Sequence, residues 1–372
     1  MKIFIVYYEV FVQNDYPNPE ISVGGIQTYL YNLAKTLSSH YSTTIIQFGK
    51  NTNSINHEQF EINFLKSNNK FQSGKELFSL IKNNIQEKDL IIWGTDSIAL
   101  KTKYKSILIQ HGVAFDYYPI EKKIPKLLKN IKLDILYRVF QQKRSIGFFE
   151  KSKYKVCVDY NYLNWYRINS VSSTKNIFVI PNFSLCIDNF KLKENKTIKI
   201  IFARRFVPKR GVLILIEIIN SILKKYNNVE FGIYGDGPMK SKLINEFSQN
   251  SKVTIEKFSS VDSLSVHSNF DIALVPTIGS EGTSFSLLEA MGSGCACICS
   301  NVGGMTNIII DNYNGYLVNP DTESFCKKIE LLLNDKFLRN EIRKNAYFTV
   351  EQGFSKKIWE KRWLDIILAL QH

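Results

Sequence analysis

The chain predicts an α/β protein built from two doubly wound parallel-sheet domains, and three observations carry that expectation. Short apolar runs alternate with stretches of helical periodicity over residues 1–185. The alternation stops at a polar run, Lys191 to Thr197, and then restarts. A length of 372 residues with 44% apolar side chains suffices for two ordinary cores. The expected domains are 1–185 and 198–354, with a last helical segment at 355–372.

In the first half, Ile3 to Tyr8, Thr43 to Phe48, Leu90 to Trp93 and Ile107 to Gln110 read as strands, with helices near Ile26 to Leu37 and Lys75 to Ile85. Ligands of such sheets collect where strands end and helices begin. At the first of these crossings Gly24 and Gly25 open a helix, which permits close backbone approach to a phosphate, although a glycine pair also serves as a plain turn. His111 stands at the end of the strand finishing at Gln110, where its plainer use is to cap the strand.

Between Glu121 and Lys155 there are eleven Lys or Arg against three acids, so this segment supplies +8 of a net charge of +14. Beyond Pro125 the pattern is helical, with Ile124, Leu128, Ile131, Ile135 and Val139 on one face expected to pack on the core. Lys122, Lys126, Lys129, Lys132, Lys143 and Arg144 lie beside that face. They form either a solvated flank or a docking surface for anionic lipid, worth ~1 kcal/mol per basic residue. Val156 to Val158 and Ile177 to Ile180 close the half, and Pro181-Asn182 opens the linker.

The second half runs through strand Ile198 to Phe202, helix Val212 to Leu223, strand Val229 to Tyr234, helix Met239 to Phe247, and strands at Lys252 to Ile255 and Asp271 to Val275. Its first strand ends in a loop with four cations, Arg204, Arg205, Lys209 and Arg210, just before a helix, a placement suited to neutralising a diphosphate. After Val275 comes a loop with Glu281, then a short helix carrying Glu289, with Thr283 and Ser284 expected to cap it. Eight helical residues rise ~12 Å, so one elongated ligand reaches both carboxylates, with an anion at the amide end between them. An ordinary amphipathic helix with solvated glutamates has the same pattern. A strand at Ala296 to Ile298, a Gly303-Gly304 turn and helices from Asp321, Lys336 and Ser355 complete the chain.

Composition narrows the class further. Six cysteines in this length are no disulfide framework, and Cys295, Cys297 and Cys299 alternate as one face of a strand, which fits a reduced core. The apolar run at the N-terminus is too short for a signal h-region. No run approaches the ~20 residues that span a bilayer. The expected location is therefore cytoplasmic, either free or peripheral at the inner face of the cell membrane.

The stretch EGTSFSLLEAM, with Glu281 and Glu289 in Glu-x7-Glu spacing, resembles the donor-site signature of retaining GT-B glycosyltransferases of family 4. The loop from Ala203 to Gly211 resembles that family's Arg-x4-Lys-Gly motif, with Arg205 at the Arg position. Arg210 stands where Lys is usual, and Ser284 where Gly is common. The resemblance implies two Rossmann-like domains facing a cleft, with the terminal helix crossing back to the first. It implies a nucleotide-diphosphate sugar held mainly by the second domain and retention of anomeric configuration. On it, Arg205 and Arg210 meet the diphosphate, Glu281 the sugar hydroxyls and Glu289 the ribose. Gly24 and Gly25 line the diphosphate, His111 contacts the sugar, Gly282, Thr283, Ser284 and Phe285 form the amide end, and Phe258-Ser259 meets the base. No cofactor is implied, and the absence of an Asp-x-Asp pair matches metal-independent chemistry. The acceptor class is a glycan or lipid-linked acceptor of a bacterial surface polysaccharide, such as lipopolysaccharide or capsule. A GT-B nucleotide-sugar epimerase is the rival enzyme, and it needs no acceptor. The rival outside enzymes is an anionic-surface or nucleic-acid binding protein using the +14 charge. The basic segment lacks an aromatic-interleaved RNA motif, so nucleic acid is not the expected partner.

Overall fold

The computed structural model describes residues 1–13, 19–22, 24–67, 73–116, 129, 133–188, 190–191, 197–258 and 262–371. The chain divides into two units. The first comprises Met1–His111, Tyr118–Ile180 and Glu360–His372, and the second Gly112–Tyr117 and Pro181–Trp359.

The main sheet of the first unit contains β1 (Lys2–Val6), β4 (Ser42–Gly49), β5 (Asn53–His57), β6 (Phe60–Lys66), β7 (Leu90–Trp93), β8 (Lys105–Gln110), β9 (Tyr154–Cys157) and β10 (Ile177–Val179). Their order is β10-β9-β8-β7-β1-β4-β6-β5, parallel except for the β5–β6 hairpin. That hairpin, the two-stranded ribbon β2 (Phe11–Val12) with β3 (Glu20–Ile21), and the helix Tyr160–Asn169 are absent from the sequence reading. Polar Asn53–His57 carries no apolar alternation, which is why an edge strand there escapes pattern analysis.

The second sheet is parallel throughout. It contains β11 (Ile198–Ala203), β12 (Val229–Tyr234), β13 (Val253–Glu256), β14 (Ile272–Val275), β15 (Ala296–Ser300) and β16 (Tyr316–Val318), in the order β13-β12-β11-β14-β15-β16. Helices cover both faces, so β11 and β14 are buried almost throughout and read as continuous apolar runs. Ile200 and Phe202 pack with the helix Val212–Lys225 on one side, while Ile201 and Ala203 pack with the helix Phe285–Gly292 on the other. Cys295, Cys297 and Cys299 are free thiols buried in this second cluster, beside Leu287 and Met291.

The last helix, Lys356–Ala369, begins in the second unit and ends in the first. The Trp359 ring meets that of Phe183, also in the second unit, at 4.5 Å in a tilted arrangement. The Trp363 indole N–H donates to the Tyr29 hydroxyl at 2.9 Å within the first.

The basic helix departs from expectation. It spans Asp134–Phe149, and Ile135 and Val139 face solvent rather than the core. The residues that pack are further along: Phe149 lies against the rings of Tyr162 and Tyr166 at 4.9 and 4.8 Å, and Ser145 bonds the Tyr162 hydroxyl at 2.9 Å. Fourteen residues separate Ile135 from Phe149, about 21 Å along the helix axis, so burial at the Phe149 end does not extend to the end that carries Ile135. Ile124, Leu128, Ile131, Lys122, Lys126 and Lys132 lie outside the described residues.

Candidate active site

In an open parallel sheet, the point where the strand order reverses leaves a crevice at the carboxyl ends of the two diverging strands. In the second unit that point falls between β11 and β14, because β12 and β13 lie to one side and β15 and β16 to the other. The loops leaving these two strands are Arg204–Gly211 and Pro276–Ser284, so the fold brings together the two segments singled out in the sequence.

The two loops are locked by backbone contact. The Ile278 N–H donates to the Lys209 carbonyl at 3.0 Å. Gly211 has a left-handed φ of 78°, and a Cβ there would stand 1.7 Å from the Pro276 carbonyl oxygen. A third strand end closes on the same place. The Gly304 N–H donates to the Glu281 carbonyl at 2.8 Å. A Cβ on Gly303 would stand 2.5 Å from that same oxygen. Asn182, in the linker, donates its side-chain amide to the Thr283 carbonyl.

Glu281 is the centre of the side-chain network. Its Oε1 accepts from Arg204 Nη2 at 2.6 Å and from the Thr277 hydroxyl at 3.2 Å, and its Oε2 pairs with Arg210. Arg204 also donates to the Thr277 hydroxyl and, at 3.4 Å, to the Ser284 hydroxyl. Burial disfavours the charge on Glu281, yet the Arg204 and Arg210 guanidiniums hold its carboxyl down to about 2. Arg205 is exposed, and the cation buried against Glu281 is its neighbour Arg204. The sequence showed two adjacent arginines at a strand end; which of them turns inward is a matter of packing that no spacing reveals. Lys209 is half-buried, and burial lowers its pKa against the pull of Asp116. The Asp116 carboxylate accepts from the Ser280 N–H at 2.6 Å.

The helix Phe285–Gly292 starts at N-cap Ser284, but the Ser284 hydroxyl does not cap it. It is turned to Arg204 and, at 3.3 Å, to the Ser286 hydroxyl. The expected hydroxyl cap is thus corrected: competition from a buried guanidinium draws the side chain away from the first-turn amides. Gly282 and Thr283 are buried beneath this turn, and the ring of Phe285 meets Phe183 edge-on at 5.7 Å.

Glu289, at the far end of the helix, accepts from the Ser263 hydroxyl at 2.7 Å, and burial raises its pKa. Ser263 in turn lies against His267, whose Nδ1 donates to the Ser263 carbonyl at 2.7 Å. Phe258 is half-buried, edge-on to Tyr234 at 6.0 Å, and Ser259 lies outside the described residues. Thr277 and Ser263 were not singled out in the sequence, since isolated hydroxyls carry no pattern, and Asn182 was read only as the opening of the linker.

The remaining residues belong to the first unit. Gly24 is the N-cap of the helix Gly25–Ser38, with no side-chain cap bond. His111 follows β8, bonds the Gly94 carbonyl through Nε2 at 2.8 Å, and meets the Tyr29 ring edge-on at 5.5 Å. Gly94 follows β7, whose border with β1 is the reversal point of this sheet. Burial lowers the His111 pKa to about 4, so the imidazole is neutral at pH 7.

Residues 187–348 match the family model described as Glycosyl transferases group 1. This region is similar to group 1 glycosyl transferases. It contains the whole Arg204, Arg210, Glu281 and Glu289 constellation. The chain is 30% identical over 198 residues to a poly(ribitol-phosphate) alpha-N-acetylglucosaminyltransferase of Staphylococcus aureus, covering 52% of this chain but only 39% of that protein. It is 26% identical over 313 residues to the Staphylococcus aureus capsular polysaccharide biosynthesis glycosyltransferase CapM, covering 78% of this chain and 80% of the other. The structure of Anabaena Alr3699/HepE in complex with UDP-glucose matches with a TM-score of 0.72 at 14% identity, covering 99% of this chain and 100% of that one. The fold is thus GT-B.

Proposed function

We propose that the protein is a retaining, metal-independent glycosyltransferase that moves a sugar from a nucleotide-diphosphate sugar to a glycan or lipid-linked acceptor in bacterial surface polysaccharide synthesis. The observation that carries this is the meeting of Arg204, Arg210 and Glu281 at the strand-order reversal of the second unit, beside the amide end of the helix Phe285–Gly292. Cations and a helix N-terminus suit a diphosphate, while a carboxylate among them suits hydroxyls on the group attached to it.

In this reading the bond between the anomeric carbon and the diphosphate oxygen breaks while the acceptor oxygen bonds to the same face. The acceptor proton passes to an oxygen of the departing phosphate. Negative charge grows on the leaving diphosphate, where Arg205, Arg210 and the amides after Ser284 stabilise it. Glu281 orients the sugar hydroxyls, and Glu289, set by Ser263, accepts from the ribose. Gly24 and Gly25 are assigned to the diphosphate, neutral His111 to the sugar, and Phe258 with Ser259 to the base. The names of the staphylococcal relatives, which concern poly(ribitol-phosphate) and capsule, support the acceptor class.

Among the described residues no helix is long and apolar enough to cross a membrane. Attachment to the inner face of the cell membrane is proposed through the helix Asp134–Phe149. Ile135, Leu136 and Phe140 are 68, 59 and 60% exposed on it, beside Lys143 and Arg144. An apolar face flanked by cations is the composition of an interfacial helix.

Thermal-shift titration with uridine, guanosine and adenosine diphosphates and their sugars, with and without chelator, tests the donor. A ligand at 100 times its dissociation constant adds ~2.7 kcal/mol of stability. Absence of any shift would contradict the reading. So would a shift abolished by chelator and restored by metal, as regards metal independence.

A further inference from the structure

We propose that Arg204 is the positioning residue of this site and Arg210 its exchangeable arm. An incoming diphosphate takes Arg210 from Glu281, while Arg204 keeps the carboxylate in place with Oε2 open to the donor sugar. This rests on the nucleotide-sugar reading above.

The two arginines share one carboxylate but stand in different surroundings. The Arg204 side chain is 5% exposed and spreads its donors over Glu281 Oε1, the Thr277 hydroxyl and the Ser284 hydroxyl. Its charge is fully engaged inside the protein. Pulling it away would leave a buried guanidinium without its carboxylate and Glu281 with Arg210 alone, which is the costly way to break such a pair. The Arg210 side chain is 28% exposed, sits at the end of the turn Pro208–Arg210, and pairs with the other carboxylate oxygen, Oε2. It can turn to solvent, or to a ligand, without uncovering a buried charge.

Two guanidiniums around one carboxylate leave a net positive site, which draws in an anion. Once a diphosphate arrives, a bidentate Arg–phosphate contact replaces the Arg210–Glu281 pair, so one charge-assisted contact is exchanged for another. Glu281 remains ionised against Arg204. The oxygen that Arg210 held is then free to accept from a sugar hydroxyl. In the free protein Glu281 therefore competes with the diphosphate, and its sugar-binding oxygen opens only once the diphosphate is seated. Donor recognition becomes ordered, with the diphosphate first and the sugar second.

The test uses the full chain and the tightest binder among uridine, guanosine and adenosine diphosphates, titrated calorimetrically. Arg210→Met should weaken binding about tenfold or more, the equivalent of ~1.4 kcal/mol. Glu281→Gln should tighten binding several-fold, because the internal competitor is gone. Arg204→Met alone leaves Glu281 with a single cation, so the informative variant is Arg204→Met with Glu281→Gln, which removes both buried charges. Once melting curves show it folded, it should bind the diphosphate as tightly as Glu281→Gln alone. A tenfold loss in that double variant would make Arg204 a phosphate ligand and overturn the proposal. Unchanged affinity in Glu281→Gln, or in Arg210→Met, would overturn the exchange while leaving the donor reading standing. A native chain that binds none of the three diphosphates overturns the donor reading itself, and the exchange with it.

Discussion

At the scale of single residues, the proposed chemistry turns on two carboxylates kept in opposite states of readiness. Glu281 is clamped by two guanidiniums and held down to about 2, whereas burial pushes Glu289 upward beside a serine hydroxyl. Glu281→Ala should therefore lose most turnover while the protein stays folded, and near-normal rates at saturating donor would remove it from the sugar site. Glu289→Ala should act mainly on KM, because the ribose contact proposed for it would change little during the reaction and uniform binding appears there. Steady-state kinetics of the two variants side by side checks this division. Arg205 has its side chain in solvent, available to a phosphate. Arg205→Ala should cost on the order of 10²-fold in rate, the scale of one lost transition-state contact. A silent Arg205→Ala would leave the leaving group to Arg210 and the helix amides.

At the scale of elements, the site is held by close approaches of backbone more than by side chains. Gly211 ends the turn that carries Arg210, and its left-handed backbone sits against the Pro276 carbonyl. Gly211→Ala should therefore lower the melting temperature and diphosphate affinity together, since the left-handed backbone alone costs an L-residue ~1–2 kcal/mol. A variant with native melting and native affinity would show that the turn yields without consequence. The helix Asp134–Phe149 gives the other test. Burying Leu or Phe side chains contributes ~1.5–3 kcal/mol each, and neighbouring cations ~1 kcal/mol each at an anionic surface. Leu136→Ser with Phe140→Ser should reduce co-sedimentation with anionic vesicles. Changing Lys122, Lys126, Lys129 and Lys132 to Gln should reduce it further at low salt, but little at 1 M, where the Debye length is ~3 Å. Equal binding of all forms, or equal binding to neutral vesicles, would return the helix to a solvated face.

At the scale of the whole molecule, burial of titratable groups ties stability to pH. His111 and His267 are each lowered to about 4 by burial, so the unfolded chain binds more protons than the folded one below the ordinary histidine value. Their contribution is complete above about pH 6.5 and is lost as pH falls toward 4. Asp159, raised by burial to about 6, works the other way in part of that window, its contribution fading as pH rises through 6. Asp96 and Glu289, also raised by burial, oppose the histidines too, so what the two histidines themselves add is a decline in melting temperature from pH 6.5 to 4 on top of the effect of these carboxyls. His111→Gln with His267→Gln should remove that decline, and an unchanged slope in calorimetric scans would place its origin elsewhere.

What the sequence determined by itself is the α/β architecture, because period-2 and period-3.6 patterning is a local property and parallel strands buried on both faces stand out as apolar runs. Leu90–Trp93 and Val229–Tyr234 coincide with β7 and β12 to the residue. The Glu281 and Glu289 spacing is equally local, since one loop and one helix carry both. Tertiary structure alone decided which arginine turns inward, that the Ser284 hydroxyl serves Arg204 instead of the helix, and that Ile135 and Val139 face out. Each of these is a contest that depends on partners far apart in the chain: Glu281 and Thr277 against solvent for Arg204, and how far the neighbouring core reaches along the helix for Ile135 and Val139. Such contests are settled by what lies opposite after folding, and sequence spacing holds no record of it.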